Sequence, residues 1–239
     1  MIVGSLRAVA ALFLTVGCSI AAYLAGYIGP GEAAASRVMG WWGRAFIRIG
    51  GWSVQVEGME NLPPGGAVLV SNHQSIVDIP LFLSAFPRPV RFLAKRELGG
   101  IILFGKAMAN AGNLFVDRKD PRDVPRMFRE AASRLSAGQL LAVFPEGRRT
   151  RDGAIGGFKT GAFRLALEAG APLVPVFIDG GYTAMPRGAR SFRPARLVVR
   201  ILPPLAAGDM TGDVKERVAP IVRERILAAA ASSSGEGRR

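Results

Sequence analysis

His73 is the only histidine of the chain, and it lies in the stretch SNHQSIVDIP, five positions before Asp78. An imidazole titrates near neutral pH, so it can take the proton of a hydroxyl and later give it back. A carboxylate on the other ring nitrogen would fix the tautomer and steady the imidazolium, as the acid does in serine-protease triads. On a regular helix five positions would swing the two side chains apart by about 140°. The pair therefore needs a turn, with His73 in a loop and Asp78 in the first helical turn, where a carboxylate also favours the helix dipole. No covalent step is required. Cys18, the one cysteine, sits in an apolar run and is a poor nucleophile, while Ser75 suits orienting the loop or capping the helix. A purely structural, hydrogen-bonding histidine is the competing reading, and the rest of the chain has to decide.

The elements that would position this pair follow from periodicity. Short apolar segments read as strands at Ser53 to Gly58, Ala67 to Ser71, Val90 to Ala94, Asn113 to Val116, Leu141 to Phe144, Leu173 to Ile178 and Arg196 to Leu202. Helical stretches lie between them, around Ile79 to Phe86, Leu98 to Ala111, Val124 to Ala137 and Thr160 to Ala169. This alternation predicts an α/β fold with a mostly parallel sheet and flanking helices, whose ligands bind beyond the carboxyl ends of the strands. Charged and hydrogen-bonding loops follow consecutive strands: NHQSIVD, KREL, DRKD and PEGRRTRDG. Each alone is an ordinary solvated loop, but together they have the layout of an active site.

Before the sheet, Ala8 to Gly29 carries no charge and is long enough to cross a hydrocarbon core of about 30 Å. The run is longer than the apolar core of a secretory leader, although GEAAAS at Gly31 to Ser36 imitates a cleavage site. Arg37, Arg44 and Arg48 then fall on roughly one helical face, among Val38, Trp41, Trp42 and Phe46, a mixture suited to a headgroup zone. Residues 1–51 are thus expected to be N-terminal membrane-anchoring helices, 52–231 the α/β domain, and 232–239 a disordered tail. Basic residues crowd the carboxyl-terminal side of the first helix, so the positive-inside tendency puts the α/β domain on the cytoplasmic face of the inner membrane. Whether the apolar run spans the bilayer or forms one arm of a hairpin is open at this point.

Composition narrows the partners. The 239 residues hold 31 Lys plus Arg against 18 Asp plus Glu, a formal charge of +13, which calls for an anionic partner. No nucleic-acid-binding motif is present, and the apolar run points to an anionic membrane surface instead. One cysteine and one histidine exclude a disulfide framework and leave little from which to build a metal site, so no metal and no cofactor is expected. A hydrolytic esterase would lack its usual G-x-S-x-G elbow.

Taken together, four ordered blocks resemble the glycerolipid acyltransferase family, which includes the 1-acylglycerol-3-phosphate acyltransferases. NHQSIVD at Asn72 to Asp78 is similar to its N-H-x-S-x-x-D motif, GNLFVDR at Gly112 to Arg118 to its second, FPEGRRT at Phe144 to Thr150 to its third, and LVPVFI around Pro175 to its V-P-V block. The resemblance implies transfer of a fatty acyl group, from acyl-CoA or acyl carrier protein, to the free hydroxyl of a lysophospholipid. Lysophosphatidate is the first acceptor to consider, and a lyso-aminolipid such as lyso-ornithine lipid the alternative. It makes His73 and Asp78 the catalytic pair. It also implies that Arg118, Glu146, Gly147 and Arg149 bind the acceptor's phosphate, with Asn72, Ser75, Lys95 and Lys159 as further substrate-binding candidates. Glu146 would repel a phosphate, so it is expected to hold Arg149 or Arg118, or to bond a glycerol hydroxyl. Two departures stand out: Arg148 replaces the usual threonine, and the ELGGIILFG segment at Glu97 to Gly105 has glycines where relatives carry bulkier residues, which could loosen the lip of an acyl tunnel.

Overall fold

In the computed structural model, which describes residues 2–28, 31–117, 120, 122–210 and 213–236, two long helices precede an α/β/α sandwich. Helix α1 (Ile2–Ala25) holds most of the apolar run and begins earlier than the uncharged segment alone suggests, taking in the exposed Arg7, whose guanidinium donates to Gly50 O at 3.1 Å. Helix α2 (Gly31–Gly50) returns antiparallel to it: Trp42 Nε1 donates to Thr15 Oγ1 at 3.0 Å, and Ala22 packs with Ala35. Helix α2 divides the basic and aromatic residues that the sequence groups together. Trp42, Phe46 and Ile47 are buried, while Arg37, Trp41, Arg44 and Arg48 face outward. The apolar run is therefore one arm of a hairpin whose two free ends lie together. α1 is the one helix among the described residues long and apolar enough to cross a membrane.

The strands are β1 (Ser53–Glu57), β2 (Ala67–Ser71), β3 (Val90–Lys95), β4 (Leu114–Val116), β5 (Leu140–Val143), β6 (Leu173–Asp179) and β7 (Arg196–Ile201). They form one seven-stranded sheet in the order β1-β7-β6-β2-β5-β3-β4, parallel except between β6 and β7. Every residue of β2 is buried, as expected of a central strand covered on both faces. Its side chains alternate: Ala67 and Leu69 join the core under the hairpin, while Val68 and Val70 join the core on the other face.

The first core is closed by α3 (Asp78–Ala85), whose Phe82 is fully buried among Phe86, Phe92 and Phe144. Between β3 and β4 the single expected helix is two pieces, α4 (Arg96–Gly99) and α5 (Phe104–Asn110), because Gly99 and Gly100 end one and Leu103, at positive φ, starts the other. The second face carries α6 (Asp123–Ser136) and α7 (Gly161–Glu168). A short α8 (Gly181–Ala184) follows β6. A last helix, α9 (Ala219–Glu236), covers the second core with Val222 and Ile226 and takes in residues 232–236 of the expected tail, while 237–239 lie outside the described residues. It runs past Ala231 because Arg200 holds both Ala229 O and Ser232 Oγ at 3.1 Å, and Ser233 donates to Asp179 at 3.3 Å. Arg91, buried in β3, and Arg134 of α6 both donate to Glu32 of α2, at 3.3 and 2.9 Å, which ties the hairpin to the sheet.

Candidate active site

β2 lies between β5 and β6, so the loops leaving all three strands meet at its carboxyl end. The loop after β2 carries His73 and turns into α3 as the five-residue spacing requires. His73 Nδ1 stands 2.8 Å from Asp78 Oδ2. The same oxygen accepts the backbone N–H groups of Gln74 and Ser75, at 2.7 and 2.8 Å, so one carboxylate oxygen winds the loop around itself and fixes the imidazole. Asp78 has no exposed surface; its Oδ1 accepts no hydrogen bond among the described residues and faces Gly181 at the start of α8. A Cβ on Gly181 would stand 2.5 Å from that oxygen. The His73 ring lies flat on Phe144, centroids 4.1 Å apart, and keeps 16% of its side-chain surface open.

The loop after β5 corrects the Arg149 part of the expectation for Glu146. Its carboxylate holds no arginine among the described residues; Oε1 accepts His73 N–H at 2.8 Å and Oε2 accepts Gly156 N–H at 3.0 Å. Thr150 N–H donates to His73 O at 2.9 Å, so both backbone groups of His73 are bound by this one loop. Gly147 takes φ +73°, the left-handed conformation that turns the loop between these contacts. From the β6 side, Met185 O accepts Ser75 Oγ at 2.6 Å and Gln74 accepts Tyr182 N–H at 3.3 Å.

Two further substrate-binding expectations are corrected here. Asn72 is fully buried, with its amide donating to Ile178 O at 2.8 Å and accepting Ile178 N–H at 2.9 Å. Ser75 is also buried, its hydroxyl occupied by Met185 O and Val77 N–H. Both side chains serve the loop, and neither reaches the cavity beside His73.

His73 opens on a cavity of about 470 Å³ that lies between the hairpin and the sheet and is open on one side. Its apolar wall comes from Cys18, Ala22, Met39 and Trp42 of the hairpin and from Ile79, Phe92, Leu98, Phe104 and Met108 of the α/β domain. Cations line it as well: Lys95 at the end of β3, Arg148 and Arg149 of the β5 loop, and Arg187 of the loop after α8. Lys159 does not line it; its side chain is exposed and its N–H donates to Pro145 O at 2.9 Å. Arg187 and the hairpin wall carry no signal in the sequence, since both reach the site only through tertiary packing.

Arg118 lies outside the described residues; at the edge of the sheet, the end of β4 just before it is anchored by Asp123. Asp123, buried at the start of α6, accepts Arg96, Asp117 N–H at 2.6 Å and Arg126 at 2.7 Å. The Arg96 guanidinium foremost, then the Asp117 amide and Arg126, holds this carboxyl well below the usual range. No group of three or more His, Cys, Asp or Glu that could hold a metal occurs among the described residues.

Comparison with known proteins matches residues 53–179 to the acyltransferase family model. The chain is 35% identical over 190 residues to 1-acyl-sn-glycerol-3-phosphate acyltransferase alpha of Homo sapiens, covering 79% of this chain and 67% of that protein. It is 37% identical over 140 residues to a chloroplastic 1-acyl-sn-glycerol-3-phosphate acyltransferase of Arabidopsis thaliana, covering 58% and 39%. The crystal structure of the 1-acyl-sn-glycerophosphate acyltransferase PlsC from Thermotoga maritima superimposes with a TM-score of 0.74 at 26% identity, over 95% of this chain and 98% of that one.

Proposed function

The chain belongs to the acyltransferase family, and from that membership we propose that it moves a fatty acyl group from a thioester to the free hydroxyl of lysophosphatidate, forming phosphatidate. The observation that carries this reading is the His73 pair at the edge of an apolar, cation-lined cavity. With its Nδ1–H given to Asp78, His73 keeps a lone pair on Nε2 for the acceptor hydroxyl. The hydroxyl oxygen attacks the thioester carbonyl carbon as its proton passes to Nε2. The C–S bond then breaks, and the thiolate takes the proton back from the imidazolium. Phe144 under the ring and Asp78 beside it leave the imidazole one orientation. The acyl chain would lie along the wall shared by the hairpin and Phe92, while Lys95, Arg148, Arg149 and Arg187 meet the phosphate. By resemblance, Arg118 and the Gly147 turn belong to the same subsite. Membrane association is supported by α1, and the outward Arg37, Arg44 and Arg48 fit an anionic surface such as the cytoplasmic face of the inner membrane. The donor is acyl-CoA or acyl carrier protein.

The test is the purified protein with a panel of lysolipids and both donors, beside His73→Ala. The proposal expects phosphatidate from lysophosphatidate and a loss of about 10²–10⁴-fold in the variant, the usual contribution of a positioned base. Full activity in His73→Ala would overturn the mechanism. Acylation of another lysolipid in preference would overturn the acceptor alone.

A further inference from the structure

The segment Gly99 to Gly105, which joins α4 to α5, takes no part in the chemistry or the phosphate subsite. It closes on itself: Gly105 N–H donates to Ile101 O and Phe104 N–H to Ile102 O, each at 2.8 Å. The second bond closes a three-residue γ-turn at Leu103, with φ +64° and ψ −57°, a rare and strained conformation for a residue other than glycine. Gly105 backs so closely on Gly99 that a Cβ there would stand 2.2 Å from Gly99 O. The loop's ends therefore meet and its middle is pushed outward. Ile102, at the tip, is 89% exposed, and Ile101 beside it 47%. Strained backbone that lifts two isoleucines into water stabilises nothing within the molecule, but it suits an apolar partner outside it.

The surroundings identify that partner. Leu98 and Phe104, on either side of the loop, both line the cavity. Helix α5, which the loop starts, packs against α1 through Ala107, Ala111 and Ala22, and Asn110 donates to Tyr23 O at 2.9 Å. The exposed isoleucines thus lead directly into a helix packed on α1, whose Val16, Ile20 and Leu24 are exposed as well. A cation follows the apolar tip: the Lys106 Nζ stands 5.6 Å from the centre of the Tyr23 ring. An apolar tip beside a lysine over an aromatic ring matches the interface of an anionic bilayer.

We propose that the Gly99 to Gly105 loop is a second membrane contact, separate from the hairpin. Ile101 and Ile102 enter the apolar layer and bring the cavity edge at Leu98 and Phe104 level with the lipid chains, so that an acyl chain passes into the cavity without crossing water. This rests on the reading that the protein acts at a membrane.

The experiment uses the full chain with phosphatidylcholine vesicles containing phosphatidylglycerol. A nitroxide is placed at Ile102→Cys in a Cys18→Ala background, and at Glu168→Cys, exposed on the opposite face of the sheet, as reference. The proposal expects vesicles to raise the oxygen accessibility of the label at 102 and to shield it from an aqueous nickel reagent, with no change at 168. In the double variant Ile101→Ser/Ile102→Ser, acylation of vesicle-borne lysophosphatidate should fall about tenfold, while the rate on the same acceptor in non-ionic detergent is kept. A label that stays aqueous while the protein sediments with the vesicles would overturn the loop's role alone. Wild-type protein that does not sediment with them would overturn this role and the membrane reading together. Shielding without vesicles, which would indicate a second copy of the chain, or equal loss in vesicles and detergent, would also overturn it.

Discussion

Two loops border the same cavity and are held in opposite ways. The loop between β2 and α3 is fixed from three directions: Asp78 binds it from below, Glu146 and Thr150 from the β5 side, Met185 and Tyr182 from the β6 side. The backbone hydrogen bonds of the loop between α4 and α5 stay within Glu97 to Ala107, its own segment and the helices it joins, and its isoleucines project outward. The difference separates two demands of lipid chemistry. A proton-transferring imidazole has to be held to within a fraction of an ångström, whereas an entrance has to be wet on one side and greasy on the other. On the proposed mechanism, precision comes from backbone groups bound by Asp78 and Glu146, and access from a short segment that pays strain for exposure.

Breaking the rigid loop should cost most. Asp78→Asn keeps the shape but removes the charge opposite His73 Nδ1 and leaves a neutral amide oxygen, a weaker acceptor, for Gln74 and Ser75, and kcat should fall about 10²–10⁴-fold with KM little changed. Gly181→Ala should come next. Its Cβ would stand 2.5 Å from Asp78 Oδ1, so Asp78 and with it His73 must shift, at a cost of about 10²-fold in kcat. A normal rate in Gly181→Ala would show that this corner of the loop yields. Glu146→Gln keeps one good acceptor for two amide donors, and a loss of about tenfold is expected, read again in kcat.

The smallest effect belongs to Asp123, which supports the β4 loop and not His73. Its carboxyl is held below the ordinary range, chiefly by Arg96, so its stabilisation is complete above about pH 4 and is lost as pH falls further. Asp123→Asn should therefore lower Tm by a few degrees near neutral pH, and the gap should close in acid. A gap that widened in acid would contradict that assignment.

Much of this was legible in the residues. The seven strands fall within a residue or two of the alternating segments, because a sheet buried on both faces needs the apolar runs that mark it. The His73 turn was legible because a five-residue spacing cannot bring the pair together on a helix. Glu146 was not. Its charge suggested an arginine, but which backbone N–H groups lack a partner at a strand end depends on a loop 73 residues away. Gly181 was silent for the same reason, since the atom it must leave room for belongs to Asp78. Lys95 and Lys159 look alike in sequence, and only the folded sheet separates the one that lines the cavity from the one that does not. The last helix was missed because AAAASSS has no amphipathic period, and its order comes from Arg200 and Asp179.

The central claim is that His73 and Asp78 act as one unit, and a double-mutant cycle on kcat tests it most directly. If Asp78 works only through the imidazole, Asp78→Asn combined with His73→Ala should be no slower than His73→Ala alone. Losses that multiply would contradict the account, since Asp78 would then act on the reaction by a route that does not pass through His73.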